Sequence, residues 1–197
     1  AGPITMTGGG GNTRVYSHAG TLTLSGNNSG LTGWMYFLAG SKVAVSAANN
    51  LGVGTLSFDG GTLMNTATMT LANAVDLAGT GTFDTASGTT LTLSGVISGA
   101  GGLTKSGTGT LALTGANTYT GGTTVSAGTL TGVAGTGLQG NIAAASGATV
   151  KFTGSGTYAG NLSGAGAVVI DTTDTTFTGT NTYSGSTTIN SGATLNA

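Results

Sequence analysis

The chain of 197 residues is rich in glycine, with 40 copies, and only 5% of its residues are charged. Its formal net charge is −1 and its four basic residues are scattered, so no basic stripe can neutralise phosphates and nucleic acid is not expected as a partner. Cysteine is absent, which excludes a disulfide framework, and no apolar run approaches the roughly 20 residues of a membrane-spanning helix. Hydrophobic residues still make up 38%, so the composition favours β-structure over disorder.

Short extended runs separated by glycine and asparagine turns fill the N-terminal part of the chain. Residues 4–7 and 20–24 predict two strands, and residues 54–58 predict another. Asp59-Gly60 follows the last of these, and such a dipeptide ordinarily closes a two-residue antiparallel hairpin. We interpret it instead as a corner between parallel strands, because the repeats described below outweigh one dipeptide. No signal peptide is visible at the N-terminus, so we expect a processed or excised piece of a longer chain.

Three large aromatic side chains lie close together in the sequence, at Trp34, Tyr36 and Phe37. One interpretation is that they fill the core or stack at its end, which is the usual use of aromatic side chains. The other is an exposed binding patch, formed by the same three residues, for a host-cell receptor, a matrix component or a glycan. The sequence alone leaves both interpretations open.

Strand-like segments recur at a nearly constant interval in the second half of the chain. Leu91, Leu111, Leu130 and Val150 each follow a threonine and lie 20, 19 and 20 residues apart. A fixed period of this size is typical of a solenoid. With three short strands and three turns per interval, like positions stack as parallel strands about 4.8 Å apart, and parallel crossovers are nearly always right-handed. The sequence therefore predicts an all-β fold, a right-handed parallel β-helix with about 20 residues and three short strands per coil.

Two longer segments, residues 98–130 and 163–195, are copies of each other. The copies differ most where residues 103–107 in the first are replaced by residues 168–172 in the second. Because both copies have the same strand and turn pattern, we expect residues 1–197 to form one β-helical unit rather than separate domains.

An asparagine and a tyrosine recur at the same places in the two copies. Asn117 and Tyr119 in the first copy correspond to Asn181 and Tyr183 in the second. Asparagine tolerates the left-handed backbone conformation and can hydrogen-bond to nearby backbone, and stacked asparagines can bond to one another. We therefore predict that these four residues are structural repeat positions, with the asparagines at equivalent corners.

The string formed by residues 101–111, 115–125 and 128–130 resembles the passenger-associated repeat of bacterial autotransporters, the type V secretion family. Residues 49–63 resemble autotransporter passenger sequence as well. The resemblance implies a right-handed parallel β-helix that is exported across the outer membrane and is either displayed on the bacterial cell surface or secreted. It also implies a C-terminal outer-membrane barrel in the parent protein. It does not imply one particular activity.

Ionisable side chains are too few and too scattered to suggest catalysis. His18 is the only histidine, and glutamate is absent. Enzymes and metal sites need several converging groups, so we expect no enzymatic activity, no metal and no cofactor. The carboxylates are all aspartates: Asp59, Asp76, Asp84, Asp171 and Asp174.

A regular, sparsely charged solenoid favours a structural function. We expect a stalk segment of a surface-displayed or secreted passenger, which supports export and presents more distal regions. The alternative is an adhesin or secreted virulence effector segment that binds host cells or other bacteria directly. Open strand edges and low charge also predict self-association.

Overall fold

The computed structural model describes residues 20–171 and 174–197, which form a parallel β-solenoid of about nine turns with about 20 residues per turn. The strands lie on three faces, and every strand pair named below is parallel. The predicted parallel β-helix is therefore confirmed. The strand expected at residues 4–7 and the histidine at His18 lie outside the described residues.

Face 1 is one eight-stranded sheet, in which each strand pairs with the next strand named. Its strands are β1 (Gly20–Leu24), β3 (Ser41–Val45), β5 (Thr62–Asn65), β8 (Gly81–Thr85), β11 (Leu103–Ser106), β13 (Thr123–Val125), β15 (Ile142–Ala144) and β18 (Leu162–Gly164). Face 2 is a seven-stranded sheet. Its strands are β6 (Met69–Leu71), β9 (Thr90–Leu93), β12 (Thr110–Leu113), β14 (Thr129–Gly132), β16 (Thr149–Phe152), β19 (Ala167–Ile170) and β21 (Thr187–Ile189).

Face 3 consists of two shorter sheets. The first contains β2 (Met35–Leu38), β4 (Leu56–Asp59), β7 (Val75–Leu77) and β10 (Ile97–Ser98), and the second contains β17 (Gly156–Tyr158), β20 (Asp174–Phe177) and β22 (Thr194–Asn196). Between these sheets, residues 118–120 extend face 3 without forming a regular strand, since Thr118 and Thr120 donate backbone hydrogen bonds to the carbonyls of Ile97 and Gly99.

Alternation between buried and outward residues explains why these segments form strands. In β9, β12, β14 and β16 the second and fourth residues are buried, while the first and third are partly exposed. Leu91, Leu111, Leu130 and Val150 pair in register along face 2, and all four are completely buried. The predicted interval is thus one column of the core, in which each large side chain contributes roughly 1.5–3 kcal/mol.

The Asp59-Gly60 dipeptide forms a corner, as predicted, and not a two-residue hairpin. The strand before it, β4, pairs with β2 and β7 on face 3, whereas the strand after it, β5, pairs with β3 and β8 on face 1. Gly60 has a φ of 86°, a left-handed conformation that glycine adopts without steric cost. The corner therefore redirects the chain from one face to the next.

The first two coils lack a strand on face 2. Residues 25–34 and 46–55 take its place, and the second of these contains a short 3-10 helix, Ala48–Asn50. The buried side chain of Asn28 donates to the carbonyl of Asn50 at 2.8 Å, and the Asn28 backbone N–H donates to the Asn49 carbonyl at 2.8 Å, so a side-chain bond supplements the backbone bonds between these coils. Three strands per coil is therefore wrong for these two coils. No helix within the described part of the chain is long and apolar enough to span a membrane.

Aromatic rings fill the core at two levels of the solenoid. Phe37 and Phe58 stack with ring centroids 4.3 Å apart and planes 10° apart, and Phe83 packs against Phe58 at 4.9 Å. Farther along the chain, Phe152 lies 5.3 Å from Tyr158 in an edge-to-face arrangement, and Phe177 joins them. Such pairs contribute about 0.5–1.5 kcal/mol beyond their burial.

The two repeat copies lie on different faces. In the first copy, β11 and β13 belong to face 1 and β14 to face 2. The equivalent strands of the second copy, β19, β21 and β22, belong to faces 2, 2 and 3. Equivalent residues of the two copies, such as Leu103 and Val168, are separated by 65 positions, which is more than three coils and advances the second copy by one face.

Candidate functional site

Two parallel rows of side chains run across the outer surface of face 3 near its N-terminal end. The Tyr36 row consists of residues paired in register on adjacent coils: Tyr36, Ser57, Asp76 and Ser98. The Trp34 row lies two residues earlier, each member immediately before its strand, and backbone hydrogen bonds of 2.9 Å join the coils along it. Its members are Trp34, Thr55, Ala74 and Val96.

Two of the three aromatic residues predicted as a binding patch face outward. Trp34 is 40% exposed, and its ring stacks on that of Tyr36 with centroids 6.0 Å and planes 26° apart. Phe37 is completely buried against Phe58, so the prediction was wrong in including it. Successive side chains in a strand point to opposite sides, which places Phe37 inside when Tyr36 is outside.

A serine and an aspartate stand next to the aromatic pair, and sequence reasoning missed them. The Ser57 hydroxyl donates to Asp76 Oδ2 at 2.9 Å. Ser57 is buried although it lies on the outer side of its strand, because it sits in register between Tyr36 and Asp76. Only the register between coils reveals this pair, and coil lengths here vary too much for the sequence alone to give that register.

Asn117 connects three consecutive coils. The Ile97 backbone N–H donates to Asn117 Oδ1 at 3.0 Å, and Asn117 Nδ2 donates to the Gly137 carbonyl at 2.9 Å. Both bonds are buried. Since a buried backbone group without a partner is costly, the side chain stabilises the corner by satisfying one donor and one acceptor.

Asn181 makes a related but less extensive set of contacts. The Leu162 N–H donates to Asn181 Oδ1 at 2.9 Å, and Asn181 Nδ2 donates to the Gly179 carbonyl of its own coil at 3.1 Å. Within the described residues, neither Asn117 nor Asn181 bonds to another asparagine side chain, so the alternative of an asparagine ladder does not apply at these positions.

The tyrosines of the two copies repeat one local hydrogen bond. The hydroxyls of Tyr119 and Thr123 are 2.6 Å apart, and those of Tyr183 and Thr187 are 2.7 Å apart. Burial raises the pKa of Tyr119, and the Thr123 hydrogen bond opposes this effect. Each tyrosine therefore stabilises the turn before the next strand through a hydrogen bond to the first threonine of that strand.

Lys105 is completely buried, which the sequence did not indicate. It occupies an inward position of β11, in register between Phe83 and Val125. Its Nζ donates to the carbonyls of Ser106 and Gly107, both at 2.6 Å, and a third bond reaches the next coil. Burial lowers the pKa of the Lys105 ammonium to about 8, against the opposing effect of a nearby carboxylate.

The remaining features offer little for chemistry. A shallow cavity of about 260 Å³ lies between the loops of the first coils and strand β6, with Asn49, Val53, Thr70 and Asn73 among its lining residues. It has no acidic, basic or histidine side chain in its lining. Within residues 20–171 and 174–197, no three His, Cys, Asp or Glu residues are close enough to hold a metal ion together.

Comparisons with known proteins agree with this geometry. The sequence model of the passenger-associated-transport-repeat family matches residues 19–37, 103–131 and 170–197. The chain is also 51% identical over 123 residues, 61% of its length, to a protein named "Adhesin BmaC autotransporter" from Brucella suis biovar 1 (strain 1330). The match spans about 4% of the length of that relative. No solved structure matches the chain significantly. The chain thus forms a parallel β-solenoid that carries passenger-associated transport repeats, and part of it is similar to an adhesin autotransporter.

Proposed function

We propose that this segment is a structural stalk of a surface-displayed or secreted passenger, without enzymatic activity of its own. The observation that carries the proposal is the continuity of the parallel ladders: strand pairing on face 1 runs without interruption from β1 to β18. A solenoid in which each coil contacts its neighbours acts as a rod, and such a rod holds attached regions at a distance.

Export support follows from the same architecture. Each new coil completes the hydrogen bonds of the coil before it, so folding proceeds stepwise along the chain as it emerges on the outer side of a membrane. Few charged groups and no cysteine are present to hinder passage through a narrow pore. The partner in this step is the C-terminal outer-membrane barrel of the parent protein, which places the segment at the bacterial surface or in the medium.

The stalk proposal is tested by proteolysis and sedimentation of the purified chain. After circular dichroism has established β-structure, proteinase K under native conditions should leave most of the chain as one resistant fragment. Analytical ultracentrifugation should show a monomer or a defined oligomer, and pull-down with host cells should recover none of it. Rapid, uniform digestion would contradict a continuous rod.

Adhesion is the second candidate function, and a specific observation favours it. Trp34 and Tyr36 form a stacked, partly exposed aromatic pair on a surface that is otherwise rich in threonine, serine and alanine. The relative with 51% identity is named an adhesin. Exposed aromatic side chains supply much of the binding energy at protein surfaces.

Saturable binding of the purified chain to host cells would support adhesion over a purely mechanical role. The double substitution Trp34→Ser and Tyr36→Ser should then abolish cell binding while the circular dichroism spectrum stays unchanged. Ile189→Ser, at an exposed residue of β21 on face 2, is the matched control. Unchanged cell binding of the double variant would remove this surface from consideration.

A further inference from the structure

We propose that the Trp34 row and the Tyr36 row together form a binding site for an uncharged saccharide chain. This inference deepens the adhesion alternative and rests on it for its biological role. The four strands that carry the rows, β2, β4, β7 and β10, are consecutive neighbours in one sheet. The site therefore spans four coils along the solenoid axis, each about 4.8 Å from the next.

The aromatic pair supplies the apolar part of the site. A pyranose ring has a face of C–H groups and a rim of hydroxyls, so it needs an apolar plane and hydrogen-bonding groups next to each other. Trp34 and Tyr36 present stacked, partly exposed rings on the outer surface. Val96 is 45% exposed and continues the apolar row at its other end.

The serine–aspartate pair supplies the polar part. Ser57 donates to Asp76 Oδ2, which fixes the carboxylate in the row that begins with Tyr36. Among the described residues, no hydrogen bond is made to Asp76 Oδ1. An ionised carboxylate is an acceptor only, and hydrogen bonds from hydroxyls to it are stronger than those between neutral groups. A sugar hydroxyl is the matching donor.

Charge indicates which saccharides fit. Asp76 is the only Asp, Glu, Lys, Arg or His residue in the two rows. The described cations lie elsewhere: Lys42 and Lys105 belong to strands of face 1, and Lys151 belongs to face 2. A sulfated or sialylated glycan would therefore meet a like charge without a compensating cation, which costs binding energy. A neutral glycan carries no negative charge and so avoids this repulsion.

A polypeptide is a poorer fit to the same surface. Extended peptides bind sheets mainly through backbone hydrogen bonds at an open edge. Here the backbone groups of β4 and β7 are shared with neighbouring strands on both sides, so these two strands offer side chains alone, and β2 is the last described strand of the sheet. The side chains of the two rows offer aromatic rings, hydroxyls and a carboxylate, and these are the groups that bind sugars.

The test combines a glycan array with fluorescence. The purified chain is applied to immobilised neutral oligosaccharides of glucose, galactose, mannose and N-acetylglucosamine, with sulfated and sialylated oligosaccharides on the same array. Because Trp34 is the only tryptophan, its emission reports on this site alone. At least one neutral oligosaccharide should bind and, in solution, should change the Trp34 emission saturably.

Two substitutions then assign the site. Asp76→Asn and Tyr36→Ala should each weaken binding of that oligosaccharide roughly tenfold or more, as expected for losing a charge-assisted hydrogen bond or a stacking ring. Asp174→Asn, at an exposed carboxylate on a distant strand of face 3, should leave affinity unchanged. Circular dichroism and the urea midpoint of each variant exclude unfolding as the cause.

The contrary outcomes are distinct. Absence of any neutral binder, or binding confined to sulfated or sialylated glycans, would overturn the saccharide assignment. Neutral binding that neither Asp76→Asn nor Tyr36→Ala weakens would also overturn it. If the chain binds host cells through the Trp34–Tyr36 surface without binding any arrayed neutral glycan, the saccharide assignment fails while the adhesion proposal stands. Failure of the stalk proposal is read separately, from proteolysis.

Discussion

Lys105 and Ala127 lie on successive coils, and the Lys105 ammonium donates a hydrogen bond to the Ala127 carbonyl across 3.1 Å. Together with its bonds to Ser106 and Gly107, this contact places one positive charge over three carbonyl oxygens at a corner of the core. Hydrogen bonds to a charged group contribute about 1.5–3 kcal/mol each, and a buried carbonyl without a donor costs about 1–3 kcal/mol. The ammonium therefore links two coils from inside the solenoid.

The first prediction concerns pH. The pKa of Lys105 falls from 10.5 to about 8 on folding, so between these values the unfolded chain binds more protons than the folded chain. The free energy of unfolding should then rise with pH in this window, by at most about 1.4 kcal/mol per pH unit. Urea unfolding at intervals from pH 7.5 to 9.5 measures the slope.

Substitution of the lysine separates this effect from others. Lys105→Met should lose the rise and should be less stable than the wild type at pH 7.5, because three carbonyls lose their donor. Lys42→Met, at an exposed position, should keep the rise. Above about pH 10 stability should fall in all three proteins, because burial raises the pKa of Tyr119 and Tyr158 and their ionisation then favours the unfolded chain. A rise that persists in Lys105→Met would contradict the assignment.

The second prediction compares the two repeat asparagines. Asn117→Ala should lower the free energy of unfolding by roughly 2–4 kcal/mol, because the buried Ile97 N–H and Gly137 carbonyl lose their hydrogen-bond partner. Asn181→Ala should lower the free energy of unfolding by a smaller amount, since the Asn181 hydrogen bonds are only partly buried and one of them stays within its own coil. Urea unfolding of both variants provides the comparison, and equal losses would argue against Asn117 as a link between three coils.

The third prediction concerns the close approach of neighbouring coils. A Cβ added at Gly101 would lie 1.9 Å from the Gly79 carbonyl oxygen, which is backbone of the adjacent coil and cannot move aside alone. Gly101→Ala should therefore destabilise the chain by several kcal/mol, on the order of the largest effects of single substitutions. Gly30→Ala is the control, because a Cβ there meets nothing within 4 Å. Thermal unfolding by circular dichroism distinguishes the two, and a stable Gly101→Ala protein would show that the coils can separate locally.

The fourth prediction concerns the aromatic stack. Phe58 lies between Phe37 and Phe83, and all three side chains are completely buried. Phe58→Ala should lower the free energy of unfolding by about 3–5 kcal/mol, because apolar burial is lost and a cavity remains. Phe58→Leu, which preserves most of the volume, should cost much less. Similar losses for both variants in urea unfolding would point to backbone rearrangement instead of a cavity.

Periodicity in the sequence was sufficient to predict the fold but not the surface. The column from Leu91 to Val150 could be predicted because consecutive coils there differ by one residue at most. The Ser57–Asp76 pair could not, because the intervals along its row, 21, 19 and 22 residues, vary more than those of the column. The burial of Lys105 could not be predicted for a different reason. A lysine is normally solvated, and here hydrogen bonds to carbonyls of two coils offset the cost of burying its charge.

Because the second repeat copy lies on the next face, a change in the number of copies would alter both the length and the orientation of the solenoid. Equivalent residues of the copies are 64 or 65 positions apart, as for Asn117 and Asn181 or Leu103 and Val168. Unequal genetic exchange between the copies would delete or duplicate a block of that size while keeping every strand and corner in phase. The rod would become shorter or longer by more than three coils, and everything beyond the junction would turn by one third of a revolution about its axis. The length of the solenoid and the orientation of the coils beyond the junction would therefore change together.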